Sequence, residues 1–158
     1  MNGIAANPLP ELTHLAQIIQ LAVAPVFLLA GLGAFLNVCV GRLARIIDRA
    51  RTLEPLILGS RGDEHDRHVR EVRILDRRIR VVNMAITCTV SAALLTAAVV
   101  ILLFVAFLTN INFGTVIALL FIASMIFTGS GFAIFLHETR IGTRAVRVRN
   151  AILEHEAE

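Results

Sequence analysis

Two long stretches of this chain contain no Asp, Glu, Lys or Arg. They cover residues 12–41 and 81–137, and both are rich in Leu, Ile, Val, Ala and Phe. A helix rises about 1.5 Å per residue, and about 20 apolar residues cross the hydrocarbon core of a bilayer. The first stretch is long enough for one span and the second for two. Hydrophobic residues make up 56% of the chain, above the roughly 45–50% of soluble domains. The two stretches are therefore predicted to lie in lipid.

Turn-forming residues divide the second stretch. Two asparagines and a glycine interrupt the apolar pattern at 109–114, and such residues favour turns and helix ends. The sequence therefore predicts an all-α integral membrane protein, a three-helix bundle with spans at 15–40, 81–108 and 115–136. A soluble protein would bury helices of roughly 10–14 residues and would place polar residues on their outer faces. Three runs of this length argue against that alternative.

Apolar residues continue beyond the first span, but their spacing changes. Two sets recur at intervals of four and three: Leu36, Val40, Leu43, Ile47 and Ala50, and then Val72, Leu75, Ile79, Val82 and Ile86. This is the spacing of a coiled-coil seam. We expect 41–80 to form an antiparallel helical hairpin, with Pro55 and 59–62 ending its first helix and about ten residues joining the two. The seams would pack within one subunit or between subunits.

The C-terminal tail, 137–158, also carries an amphipathic pattern. Its apolar and basic residues fall on separate stripes of a helix: Ile141, Ala145, Val148 and Ile152 on one, and Arg140, Arg144 and Arg147 on the other. Such a helix next to a membrane either lies on anionic lipid or covers a neighbouring part of the protein. We expect it to cover the hairpin.

All 15 basic residues are arginines, and their distribution is uneven. Eleven lie between Arg42 and Arg80 and four follow Glu138, whereas none precedes Leu15 or lies in the 109–114 turn. An excess of arginine marks the cytoplasmic side of a span. The expected location is the bacterial cytoplasmic membrane, with the N-terminus outside and both the hairpin and the C-terminus inside. The reversed topology is excluded, because moving each arginine through lipid costs roughly 2.5–3.5 kcal/mol.

Small and polar residues recur every four residues along each span. In lipid such residues mark helix contacts, because they allow close approach and hydrogen bonding. The stripes are Gly33, Asn37 and Gly41 in the first span, Ala85, Thr89, Ala93 and Ala97 in the second, and Met125, Gly129 and Ala133 in the third. They predict either packing within the bundle or a subunit interface. Pro25 is expected to kink the first span, since it removes a backbone donor and crowds the preceding turn.

Charged residues follow two of the spans directly. Arg42 and Arg45 come just after the first span, and Glu138 comes just after the third, at the same predicted membrane boundary. A guanidinium–carboxylate pair in partly desolvated surroundings has strong, charge-assisted hydrogen bonds. We therefore expect Glu138 to pair with Arg42 and Arg45 and to hold the span ends together.

Motifs for catalysis and cofactor binding are missing from the sequence. It has no nucleophile elbow, no glycine-rich phosphate loop and no HExxH or CxxC, so no catalytic residue and no cofactor is predicted. Glu64, His68 and Glu71 would share a helix face that could bind a metal, but a solvated charged surface is the more common outcome, and no metal site is predicted. Nucleic acid is not an expected partner, since the chain has no Trp or Tyr for stacking.

The polar residues of the spans leave two functions open. Some of them suit an interface or, in an oligomer, the wall of a pore: Asn37, Asn83, Thr87, Ser91 and Thr96. No ionisable residue lies deep in a span, which argues against pumps and proton-coupled carriers. We expect a non-enzymatic component that associates with itself or with a membrane protein partner. A pore-forming subunit is the alternative, and a membrane enzyme or metal-binding protein is the least favoured one.

Several segments resemble a known family. They are Gln17–Gln20 followed by Ala24–Leu29, then Leu36–Val38, Arg42–Arg49, and Leu136–Glu138 leading into the tail. Over roughly 15–152 the chain is similar to the small bacterial membrane proteins grouped as domain of unknown function 2721. The resemblance implies a three-span inner-membrane protein with a cytoplasmic hairpin, and it brings no catalytic residue, ligand or small-molecule partner.

Overall fold

Three long helices joined by two short turns make up the structure. The computed structural model describes the backbone of residues 9–155 and the side chains of residue 13 and residues 15–140. The helices are α1 (Leu9–Gly59), α2 (Asp63–Thr109) and α3 (Gly114–His155). Residues 9–155 contain no strand, and the predicted all-α fold is confirmed. The amphipathic pattern predicted for the tail lies almost entirely outside the described side chains.

Each helix contains a segment that is long and apolar enough to cross a membrane. These candidate spans lie within Leu15–Gly59, Asp63–Thr109 and Gly114–Arg140. Large apolar side chains cover their outer surfaces, for example Phe27 and Leu94, which are 74% and 67% exposed. Such surfaces are unfavourable in water and are compatible with lipid. The chain therefore has the form of a three-span membrane protein.

Glycine and asparagine residues shape the two turns. Residues 60–62 join α1 to α2, and Gly62 has a φ of +67°, a conformation that favours glycine. Residues 110–113 join α2 to α3, where Asn110 adopts the left-handed conformation with a φ of 55°. Asn112 Oδ1 accepts a hydrogen bond of 3.0 Å from the Gly114 amide at the start of α3. Both connections are tight, so neighbouring helices run antiparallel.

Two prolines lie inside α1. A proline removes one backbone donor and crowds the preceding turn, yet the helix continues through both Pro25 and Pro55. Leu53 is only 1% exposed and packs against α2, so this tertiary contact favours the helical form of the last turns. The helix ends at Gly59, at the start of the predicted 59–62 stretch. The prediction is wrong for Pro55, which does not end the helix, and the first turn is three residues long instead of about ten. The kink at Pro25 stays a prediction.

Helices α1 and α2 pack against each other within one chain. Along the hairpin and into the start of the second apolar segment, their contact is a buried aliphatic cluster of Ile46, Leu53, Leu75 and Val82. All five residues of the predicted seam of α2 take part: Leu75 and Val82 are buried in the cluster, and Val72, Ile79 and Ile86 pack against it. In α1, Leu43 and Ala50 of the predicted seam pack against this cluster. The prediction is wrong at Ile47 and Val40, because Ile46 is buried in place of Ile47 and Val40 is 53% exposed. Around Cys39 and Val40 the residues of α1 are almost all apolar, so their pattern there does not single out the face that meets α2.

Helix α2 is the central element, since it packs along both α1 and α3. Helix α1 meets α3 chiefly where the three apolar segments end near the hairpin. There the Phe35 ring lies edge-on to the rings of Phe132 and Phe135, with centroid distances of 4.4 and 5.2 Å. Aromatic edge-to-face pairs at such distances are favourable. This contact brings α1 and α3 together beside the charged residues of the hairpin.

Candidate functional site

Glu138 is a buried carboxylate at the end of the apolar segment of α3. It is only 2% exposed. It shares the face of α3 that packs on α2, because Ser124, Thr128 and Gly131 precede it at helical intervals and are also buried. A carboxylate removed from water is strongly unfavourable unless cations and hydrogen-bond donors surround it. The position of Glu138 therefore requires cationic partners from the neighbouring helices.

Two arginines from different helices neutralise Glu138. Arg78 of α2 donates from Nε and Nη2 to Oε1 at 2.9 and 2.8 Å. Arg42 of α1 places its Nε 3.3 Å from Oε2. Oε2 accepts no hydrogen bond within the described part of the chain, so this second contact is ionic. Arg42 Nη1 also donates to Thr139 Oγ1 at 2.9 Å, and its guanidinium lies 5.5 Å from the Phe135 ring centre. One carboxylate thus links all three helices.

The second cation differs from the one expected. The structure brings Arg42 to Glu138, but Arg45 forms no ion pair within 4 Å among the described side chains and is exposed. Arg45 lies nearly one turn beyond Arg42 on α1, at the edge of the face that meets α2. Arg78 of α2 is the second cation at Glu138 instead of Arg45. Sequence reasoning missed Arg78 because several arginines crowd this part of α2, and only the register of the hairpin selects one of them.

A second ion pair lies closer to the hairpin turn. Arg49 donates from Nε and Nη2 to Glu71 Oε1 at 3.0 and 2.8 Å. These side chains are 51% and 41% exposed, so the pair contributes at most about 1 kcal/mol. Because Glu71 is engaged by Arg49, it is not poised to bind a metal with Glu64 and His68. The described residues contain no group of three or more His, Cys, Asp or Glu suited to a metal ion.

Glu138, Arg42 and Arg78 form an arginine cluster, and a groove with a volume of about 440 Å³ opens beside it. Four arginines and four apolar residues line its walls: Arg42, Arg45, Arg49 and Arg78, with Val38, Ile46, Leu75 and Phe135. Two of their positive charges are balanced by Glu138 and Glu71. The side chains in contact therefore leave an excess of two positive charges at the groove. A concave surface with such an excess attracts anions.

The small-residue stripe of α2 faces α3 in part. Ala85 and Thr89 are completely buried, and Ala93 and Ala97 are partly buried. The closest approach of α3 occurs at Gly131, where an added Cβ would lie 2.7 Å from Thr89 Oγ1 and 3.3 Å from the Ala85 carbonyl oxygen. The contact therefore uses Gly131, two residues beyond the glycine of the predicted stripe on α3.

The stripes predicted on α1 and α3 face outward. Gly33, Asn37, Gly129 and Ala133 are exposed, and Gly41 is partly exposed. A Cβ added at Gly33, Gly41 or Gly129 would meet no neighbouring atom within 4 Å. These residues therefore do not mediate contacts between the helices of one chain.

Several hydroxyl groups of the spans are engaged in hydrogen bonds of the chain itself. Thr96 Oγ1 lies 2.6 Å from Ser124 Oγ between α2 and α3, and both residues are completely buried. Thr87 is exposed, but its hydroxyl donates to the carbonyl oxygen of Asn83 at 2.9 Å. Thr96, predicted as a residue of an interface or a pore wall, thus belongs to the contact between two helices of one chain.

Comparison with known proteins identifies one family. A family model described as Protein of unknown function (DUF2721) matches residues 22–148, a segment that includes the whole hairpin and every member of the arginine cluster. No curated protein and no solved structure matches the chain. The family description assigns no activity, so the function has to be argued from the surfaces and contacts described above.

Proposed function

The chain belongs to the family of proteins of unknown function DUF2721. From this premise we propose that it is a non-enzymatic bacterial inner-membrane protein that assembles with copies of itself. The Glu138 carboxylate is already bound by Arg42 and Arg78 within the chain. The proposal therefore rests on the outer surface of the helices and not on this buried group. Removing either arginine would leave a buried charge without its full set of partners, so this carboxylate has a structural role.

The outward face of α1 is the observation that carries the proposal. Asn37 is exposed within an apolar segment, and Gly33 and Gly41 lie one turn away on either side. Within the described side chains, the Asn37 amide has no hydrogen-bond partner. An amide facing hydrocarbon is unfavourable unless it is hydrogen-bonded. Small neighbours let a second helix approach closely enough to supply that bond.

A second copy of the chain is the simplest partner for this face. In a twofold dimer the same patch lies on both subunits, so each Asn37 meets the other. An amide carries both donors and an acceptor, so two asparagines can satisfy each other. The glycines on either side of Asn37 leave open space for the partner helix, since added Cβ atoms there would meet nothing within 4 Å.

The distribution of arginine supports the orientation that we propose. The hairpin end of the molecule carries 11 arginines between Arg42 and Arg80, whereas the turn between α2 and α3 carries none. The positive-inside rule places the hairpin and the C-terminus in the cytoplasm and the N-terminus outside. A tag inserted at 60–62 should therefore remain unlabelled by a membrane-impermeant reagent in intact cells and become labelled after lysis. Labelling in intact cells would contradict the orientation.

Mass measurement in native lipid tests self-association. The protein extracted into lipid nanodiscs is expected at a multiple of its 17.2 kDa chain mass. Asn37→Leu should shift the population toward the single chain and raise the dissociation constant roughly threefold to thirtyfold, as expected for one or two interhelical hydrogen bonds in lipid.

Asn83→Leu provides the matched control, because Asn83 is an exposed amide on α2 rather than α1. It should leave the association unchanged. A monomeric wild-type protein would refute the proposal. Equal weakening by the two substitutions would show that the face of α1 is not the specific contact.

A further inference from the structure

The groove beside the arginine cluster has the chemistry of an anion-binding site. We infer that it binds the phosphate of an anionic phospholipid headgroup, from the leaflet at the hairpin end of the spans. The inference does not depend on self-association, since it concerns the cluster between the helices and not the outer face of α1. Charge, free donors and an apolar wall support it independently.

The arginines retain donors after making their contacts within the chain. Arg78 uses Nε and Nη2 on Glu138, which leaves Nη1. Arg42 uses Nε on Glu138 and Nη1 on Thr139, which leaves Nη2. Among the described side chains Arg45 forms no ion pair, so its whole guanidinium fork is available. A planar guanidinium matches the oxygens of a phosphate group better than an ammonium does.

Glu138 holds two of the cations in place before any anion arrives. It is 2% exposed, whereas the side chains of Arg42 and Arg78 are 24% and 26% exposed. The carboxylate thus lies beneath guanidinium groups that still reach solvent. Two charges fixed in this way lose little side-chain freedom when they bind an anion, which increases affinity. Arg45 would complete the site from the edge of the groove.

The apolar wall favours a lipid over a free phosphate compound. Val38 lies one turn before Arg42, within the apolar segment of α1, and is 56% exposed. Phe135 lies nearly one turn before Glu138 in α3 and contributes to the same groove. An acyl chain lying against these surfaces would bring its phosphate to the level of Arg42 and Arg45. Basic pockets at the ends of transmembrane helices are suited to anionic headgroups.

Native mass spectrometry of the full-length protein in a neutral maltoside detergent tests the inference. The protein is titrated separately with phosphatidylglycerol, phosphatidylcholine and inorganic phosphate. We expect phosphatidylglycerol to be retained at lower concentration than phosphatidylcholine, and inorganic phosphate at equal concentration neither to bind nor to displace it. Because the headgroup contact is ionic and partly exposed, added salt should weaken the retention of phosphatidylglycerol.

Arg45→Gln is the informative substitution, because it removes a cation from the groove without leaving Glu138 unpaired. It should weaken phosphatidylglycerol binding about fivefold, the effect of one basic side chain near a lipid headgroup. Arg51→Gln is the matched control, since Arg51 is also exposed on α1 but is not part of the groove. Circular dichroism checks that both variants keep the helix content of the wild-type protein.

The outcomes separate three cases. Equal retention of phosphatidylglycerol and phosphatidylcholine by the wild-type protein would overturn the inference, and this comparison needs no variant. Equal effects of Arg45→Gln and Arg51→Gln would overturn the placement of the site in the groove. Displacement of phosphatidylglycerol by inorganic phosphate at comparable concentration would overturn the lipid assignment and identify a soluble phosphate compound as the occupant.

Discussion

Helix α2 contacts its two neighbours through different kinds of side chain. Along the hairpin and into the start of the second apolar segment, its contact with α1 consists of large aliphatic residues: Ile46, Leu53, Leu75 and Val82. Within the apolar segments its contact with α3 consists of hydroxyl-bearing and small residues: Ala85, Thr89, Thr96, Ser124 and Gly131. The two contacts lie on different faces of α2 and overlap along it, since Ile86 still packs against the aliphatic cluster while Ala85 faces Gly131 of α3. The same helix thus uses two modes of packing.

The surrounding solvent accounts for the difference. Large aliphatic side chains stabilise a contact because burial removes them from water. Lipid offers no such gain, so close backbone approach and interhelical hydrogen bonds become the available sources of stability. At Ala92 the backbone carbonyl oxygen lies 2.9 Å from Thr96 Oγ1 and 3.0 Å from Ser124 Oγ. The carbonyl oxygen and the hydroxyl groups of Thr96 and Ser124 therefore form one small polar network between the two helices.

The aliphatic contact should give the larger effect when it is damaged. Leu53 is 1% exposed at the hairpin end of α1, and Leu53→Ala should destabilise the hairpin by about 2–5 kcal/mol through lost burial and a residual cavity. Hydrogen exchange followed by mass spectrometry in detergent measures this effect. Backbone amides of the hairpin, 41–80, should exchange faster, while those of the apolar segment of α3 keep their protection.

The control for this experiment is a leucine close to Leu53 on the same helix. Leu58 is 89% exposed, so Leu58→Ala removes the same atoms without removing a buried contact. It should leave exchange in the hairpin nearly unchanged. Similar acceleration by Leu53→Ala and Leu58→Ala would mean that the aliphatic cluster does not stabilise the hairpin.

Much of the fold could be predicted because the relevant signals are local. The absence of charge from 81–137 and the asparagines near residue 110 are sufficient to predict two helices and a tight turn. The face of α1 was harder to predict. Membrane helices are apolar on every side, so Val40 fits the heptad pattern as well as Cys39 does, yet the structure buries Cys39 and exposes Val40.

The arginine cluster could be predicted only in part. Glu138 is the sole acidic residue at the end of the third apolar segment, which made it an obvious candidate, and Arg42 is the first cation after the first segment. Arg78 is one of several arginines on α2, and its place depends on how α2 lies against α1 and α3. Such long-range register is not encoded in any short pattern, so local reasoning selected Arg45 instead.

The contact within the apolar segments should respond to a single methyl group. Gly131→Ala places a Cβ 2.7 Å from Thr89 Oγ1 and 3.3 Å from the Ala85 carbonyl oxygen. The Thr89 hydroxyl already donates to that carbonyl at 2.8 Å, so it has little freedom to move, and the helices must separate. We expect the free energy of unfolding to fall by about 1–3 kcal/mol. Denaturation in detergent–SDS mixtures, followed by circular dichroism, measures this change.

Gly129→Ala is the matched control for Gly131→Ala, because it makes the same chemical change two residues away, where an added Cβ meets no neighbouring atom within 4 Å. Both substitutions gain the same helix propensity. The difference between their free energies of unfolding therefore isolates the steric effect of the added Cβ at Gly131. Combining Gly131→Ala with Thr89→Ala removes the nearest atom and should recover part of the loss. If Gly131→Ala and Gly129→Ala were equally stable, the contact between α2 and α3 would not depend on close approach of the two backbones. The two faces of α2 would then differ only in the size of their side chains.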